Sequence, residues 1–181
     1  MRFVGYALVA TALLAPAFSA TAGAHDQVAE VRAFDMEVRG SITERCSLGS
    51  LPTIDLGDLS RPGNGTGTKV DLTCNFPYNL TTRAQNGRLA HTDLPAGQGG
   101  YAGSVPYTVG LVLPVRRPQS TVIARSFEGD DLRGNGASIS SEGGIAVDGL
   151  ALSLSLGQPS GEAGLLAGRY GETIEIAIAP S

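Results

Sequence analysis

The reactive side chains of this 181-residue chain are few: two cysteines, two histidines and a scatter of serines and carboxylates. Cys46 and Cys74 are the only cysteines. They do not form a C-x-x-C pair, so a redox site is a poor reading. The two histidines, His25 and His91, are distant from each other and from the cysteines, which makes a poor zinc site. Both histidines read as exposed polar residues. The remaining chemistry of the cysteines is a structural disulfide formed in an oxidising compartment. Such a bridge would close a loop of about 29 residues, worth about 3–4 kcal/mol on the chain-entropy model.

Other motifs fail on spacing. Gly157-Gln158-Pro159-Ser160-Gly161 does not have the G-x-S-x-G order of a nucleophile elbow. Asn64 to Lys69 lacks the Gly-Lys-Ser/Thr core of a phosphate loop. Asp131 to Glu142 has the length of a calcium loop and offers Asp131, Asn135, Gly136 and Glu142. Arg133, however, stands at a ligand position, and no helical pattern flanks the loop. No catalytic residue, metal or cofactor is therefore assigned, and the chain is read as a non-enzyme.

The first residues set the compartment. Arg2 is followed by an apolar run from Phe3 to Phe18, then by the small residues Ala22-Gly23-Ala24. That pattern is a signal peptide over 1–24, with cleavage predicted before His25. The run is shorter than the roughly 20 residues a spanning helix needs. No later stretch is apolar enough to span a bilayer. The formal net charge is −4 and Lys69 is the only lysine. No basic patch is present to hold nucleic acid.

The elements that would hold these residues read as strands. From Phe34 to Ile42, Phe34, Met36, Val38, Gly40 and Ile42 alternate with Asp35, Glu37, Arg39 and Ser41, a period of two. Similar alternation covers Thr53–Leu59 and Thr68–Cys74. A further strand is predicted over Tyr78–Ala84, turning at Asn86-Gly87 into a return strand over Arg88–His91. Residues 92–104 read as a loop. Val105–Val115 is β-rich, with Pro106 and Pro114 suggesting edges or bends. Residues 116–144 are the least regular, with one short strand over Ser120–Phe127. Ile145–Leu156 and a last strand over Tyr170–Ala179, alternating from Thr173, close the series. No helical period follows the leader. Short strands with turns between them predict an all-β sandwich of one domain.

The order of several short motifs resembles the spore coat protein U domain family. Cys74 opens CNFPYNL, containing Asn75, Pro77 and Tyr78. Asn86-Gly87-Arg88-Leu89 follows, then Val105-Pro106-Tyr107-Thr108-Val109, and finally GRYGETI from Gly168 to Ile174. The likeness runs from about Phe34 to the last residues. The family includes the secreted pilin subunits of archaic chaperone–usher pili. The resemblance implies an immunoglobulin-like, pilin-type sandwich over 46–181, incomplete by one strand and completed by donor-strand exchange. Residues 25–45 would then be an N-terminal extension carrying the donor strand, with Phe34, Met36, Val38, Gly40 and Ile42 as its inward row. Tyr170, Thr173, Ile174, Ile176 and Ile178 would lie on the groove-edge strand that also meets the chaperone. The implied partners are homologous pilin subunits, a periplasmic chaperone and an outer-membrane usher. The implied location is the cell surface, reached through the periplasm. The closing Ala179-Pro180-Ser181 lacks the aromatic residue of many pilin terminal strands.

The same alternation over 34–42 also suits the first strand of a complete sandwich paired within its own chain. A self-contained spore-coat or matrix protein therefore stands beside the pilus subunit. A carbohydrate-binding tip adhesin is a third reading; such subunits usually carry an additional domain.

Overall fold

The computed structural model describes residues 33–61 and 65–181. The leader expectation, His25 and Pro62-Gly63-Asn64 lie outside the described residues. The chain divides into a unit ending at Gly40 and a unit over Ser41–Ser181.

The described part of the first unit, 33–40, carries no helix or strand, and neither do residues 41–45. The period-two pattern of 34–42 is therefore present without a ladder. Its apolar row faces solvent: Phe34 is 88% exposed, Met36 84%, Val38 80% and Ile42 88%.

The second unit is all-β, built from antiparallel strands. Its first strands are β1 (Cys46–Leu48), β2 (Gly65–Val70) and β3 (Leu72–Cys74). They are followed by β4 (Tyr78–Ala84), β5 (Leu89–His91), β6 (Ser104–Val105) and the long β7 (Tyr107–Arg117). The remainder are β8 (Gln119–Glu128), β9 (Ala137–Ser140), β10 (Ile145–Ala146), β11 (Leu150–Leu156), β12 (Tyr170–Gly171) and β13 (Ile174–Pro180). A 3-10 turn, Gly129–Leu132, follows β8.

Among the described residues, a seven-stranded sheet runs β1-β3-β10-β7-β11-β2, with β8 on the other side of β7. A three-stranded sheet runs β13-β4-β9, and a second small one runs β12-β5-β6. The first two share one core. Leu72, Cys74, Val109, Leu111, Leu113, Val115 and Leu150 from the large sheet join Tyr78, Leu80 and Ile139 from the smaller. The alternation of β4 shows why: Tyr78, Leu80, Thr82 and Ala84 are all buried, and the residues between them are not. Side chains on a strand alternate faces, so one face can be sealed while the other stays wet.

Cys46 and Cys74 form a disulfide, opposite each other in the antiparallel register of β1 and β3, with Cα atoms 4.1 Å apart. The pairing expected from the sequence is thus the one observed.

Several expectations are corrected. Thr53–Leu59 is not a strand. Its alternation ends in an Asx turn in which Gly57 N–H donates to Asp55 Oδ1 at 2.8 Å, and Gly57 takes φ +64°. That left-handed conformation suits glycine and breaks an extended run. Asn86-Gly87 does not close a hairpin. Both edges of β4 are taken, by β13 and β9, so β5 pairs instead with β12 and β6. Gly87 does turn the chain at φ +73°, and a Cβ there would sit 2.9 Å from Gly129 O. Pro114 lies inside the central strand β7 rather than at an edge. It is tolerated because β11 pairs only as far as Val112 and β10 begins at Val115, leaving Leu113 and Pro114 without ladder partners on that side. The segment 116–144 is more regular than expected: β8 is ten residues long and β9 is a strand the pattern did not reveal.

Candidate functional site

Among the described residues, several strands of the second unit have a free edge, and three of them are β13, which pairs only with β4, β1, which pairs only with β3, and β2, which pairs only with β11. A free edge presents unpaired N–H and C=O groups and is a template for another strand. The core-facing row of β13 is Ile174, Ile176 and Ile178. All three pack against the core, yet none is fully buried. The central strand β4 seals its row completely, so the difference lies in the missing neighbour and not in side-chain type. Along β11 burial also falls off, from sealed Leu150 and Leu152 to half-open Leu154 and Leu156.

Apolar cavities open at both ends of β13. One, of about 290 Å³, is lined by Cys46, Leu48, Phe76, Ile178, Ala179 and Pro180. The other, of about 370 Å³, lies among Leu152, Leu154, Leu156, Ile174, Leu51 and Ile54. Most of the side chains lining them are aliphatic or aromatic, with Thr53, Glu172 and Thr173 at the larger one, which suits apolar side chains entering at the two-residue spacing of a strand.

The polar end of this site centres on Glu172, between β12 and β13. Its carboxylate accepts the Asn86 N–H at 3.1 Å, the Thr173 N–H at 2.7 Å and the Tyr107 hydroxyl at 3.4 Å. Burial, then the neighbouring Glu172 charge and the hydrogen bond to it, hold the Tyr107 phenol protonated far above the ordinary tyrosine range. This knot fixes where β13 begins.

The residues singled out by sequence divide as follows. Ile174, Ile176 and Ile178 lie on the free-edge strand as expected. Thr173 precedes it and lines the larger cavity. Tyr170 does not lie on that strand. It sits on β12 in the small sheet, its hydroxyl donating to Leu166 O at 2.7 Å and its ring meeting His91 edge-on, 5.2 Å between centroids. The short link Glu172-Thr173 separates β12 from β13, so the single strand expected over Tyr170–Ala179 is two. Asn75 anchors residues 43–45, Pro77 O accepts the Ser181 N–H, Tyr78 is buried at the start of β4, and Asn86 reaches Glu172. Phe34, Met36, Val38 and Gly40 belong to the first unit; Ile42 belongs to the second.

His91 is buried, contrary to expectation. Its Nδ1 accepts the N–H groups of Asp93 and Leu94, each at 3.1 Å, and its Nε2 lies 3.2 Å from Ala167 O. The ring staples the loop that follows β5. Among the described residues no three of His, Cys, Asp and Glu come together to hold a metal ion. No helix among them is long and apolar enough to cross a membrane.

Sequence reasoning missed Leu48, Phe76, Leu154 and Leu156 as groove residues. The alternation of Leu150–Leu156 was visible, but a pattern does not say which of its residues a neighbour leaves uncovered. Comparison with family models, curated proteins and solved structures finds no match to the chain.

Proposed function

We propose that this chain is the structural subunit of a secreted surface fibre, a chaperone–usher pilus, that polymerises by donor-strand exchange and supports adhesion and biofilm formation. In this reading the second unit is an immunoglobulin-like, pilin-type sandwich that lacks one strand. The observation that carries it is a complementarity of two rows. Ile174, Ile176 and Ile178 stand half-open beside free strand edges. The same chain presents Phe34, Met36 and Val38 at the same two-residue spacing, with Ile42 continuing the row past Gly40, all four of them exposed. A second copy's 34–42 segment would satisfy both at once. Burying each such side chain is worth about 1.5–3 kcal/mol, and main-chain pairing along the edge adds to it. A periplasmic chaperone would shield the groove until an outer-membrane usher exchanges it for the next subunit. The motif order that resembles the spore coat protein U domain family supports the same reading.

A self-contained spore-coat or matrix protein is the second reading. The observation favouring it is that Leu51 and Ile54 of the same chain already lean over the groove.

The deciding experiment compares the chain from residue 25 with a version lacking 25–43, both made in a periplasm with the candidate chaperone. Unboiled denaturing gels should show a polymer ladder for the first and chaperone-bound monomer for the second. Monomer from the longer chain together with misfolding of the truncation would overturn the fibre reading in favour of the self-contained one.

A further inference from the structure

The segment between β1 and β2 holds an arrangement unlike the rest of the unit. Leu51, Ile54, Leu56 and Leu59 are partly buried, while Pro52, Thr53, Asp55, Gly57 and Asp58 are exposed. Leu51 and Ile54 pack against the core, and Leu51, Ile54 and Leu56 line the same cavity as Leu154, Leu156 and Ile174. Yet residues 49–58 carry no strand, and β13, whose Ile174 shares that cavity, keeps one edge free of ladder partners. The segment lends the groove its side chains and withholds its backbone.

The sequence explains why. Pro52 has no N–H to give a ladder. The Asx turns at Asp55 and Asp58 draw the main chain onto their own side chains, with Gly57 N–H and Ser60 N–H as donors at 2.8 Å and 3.0 Å. Gly49 precedes the segment, its N–H donating to Asp71 O at 2.7 Å, and Gly57 lies within its last turn, in the left-handed region with nothing within 4 Å of a Cβ placed there.

We propose that residues 50–59 are a displaceable strap that occupies the strand-accepting groove until an incoming strand levers Leu51, Ile54 and Leu56 out. The proposal rests on reading the groove as a strand acceptor. A segment held by side-chain burial alone competes with one that brings the same burial plus a main-chain ladder, so the incoming strand wins at equilibrium. The strap therefore acts on the rate of exchange and shields the isoleucine row from casual pairing with other edges.

The test uses the full chain as monomer and a fluorescent peptide of residues 30–45, with capture followed by a shift that survives denaturing gels without boiling. The variant Leu51→Ser/Ile54→Ser should capture the peptide at least ten times faster than the parent. Gly57→Ala removes no core contact and strains only the strap's turn; it should capture several times faster. Circular dichroism and the intact disulfide check that each variant is folded. Rates equal to the parent's in the folded Gly57→Ala chain overturn the strap and leave strand acceptance standing. Absence of capture by parent and variants alike overturns strand acceptance, and the strap with it.

Discussion

Asn75 grips Arg45 from both sides of the peptide unit. Its Oδ1 accepts the Arg45 N–H at 2.7 Å, and its own N–H donates to Arg45 O at 3.1 Å. Its Nδ2 reaches further back, to Thr43 O at 2.9 Å. One residue beyond the disulfide, this clamp extends the β1–β3 pairing by side chain where the ladder ends. It holds residues 43–45 against the start of the sheet.

Replacing Asn75 with alanine should remove two of these hydrogen bonds and keep the third. A loss of about 1–3 kcal/mol is expected, since each such bond contributes roughly 0.5–1.5 kcal/mol net. Asn75→Asp keeps an acceptor for Arg45 N–H and loses the donor to Thr43, so it should fall between the two. Chemical denaturation midpoints would order the three chains.

The disulfide should matter more. Cys46→Ala/Cys74→Ala is expected to lose about 3–4 kcal/mol, because the unfolded chain regains the freedom of the loop between them. Cys74 is buried in the core cluster, and alanine there avoids placing a hydroxyl among apolar side chains. Guanidinium unfolding of the parent with and without reductant should reproduce the same difference.

Phe34→Ser and Val38→Ser should leave the melting temperature of the monomer unchanged, since both side chains are already in water. Gly40→Val should do the same, because a Cβ at Gly40 meets nothing within 4 Å. In the polymer all three should lower the temperature at which the ladder dissociates. A destabilised monomer with an unaltered polymer would contradict the donor role.

Stability should fall at alkaline pH through Tyr78 and Tyr107. Burial raises both phenols above their ordinary value of 10.0, with Glu172 adding to the rise at Tyr107. Their contribution is complete below pH 10, where both states hold the proton. Above pH 10 the unfolded chain ionises first and the folded one does not. Stability is then lost at up to about 1.4 kcal/mol per pH unit for each tyrosine. Tyr107→Phe should flatten part of that slope in urea titrations between pH 9 and about 11.

Much of this architecture was legible in the residues. Tyr78–Ala84 and Leu150–Leu156 alternate because each has one face in the core, and both are strands. The disulfide was legible because two cysteines behind a secretory pattern admit one pairing. Thr53–Leu59 alternates equally well and is no strand, because alternation reports a face turned to apolar surroundings and not a main-chain partner. Asn86-Gly87 set a local turn but could not name the strand that follows it, which depends on which edges of β4 are already occupied. β9 escaped notice because its four residues, with Ile139 alone large and apolar, give too short a period. Of the groove, the isoleucine row was readable; its half-open state was not, since that depends on a neighbour the row itself does not encode.

The inward leucines of β11 pass from sealed to ajar within seven residues, although β7 pairs with nearly the whole strand. An amide-proton clock in heavy water should therefore run at two speeds along one strand. It should be slow near Leu150, where only global unfolding admits solvent, and fast near Leu156, where a local breath suffices. Filling the groove should bring the two speeds together.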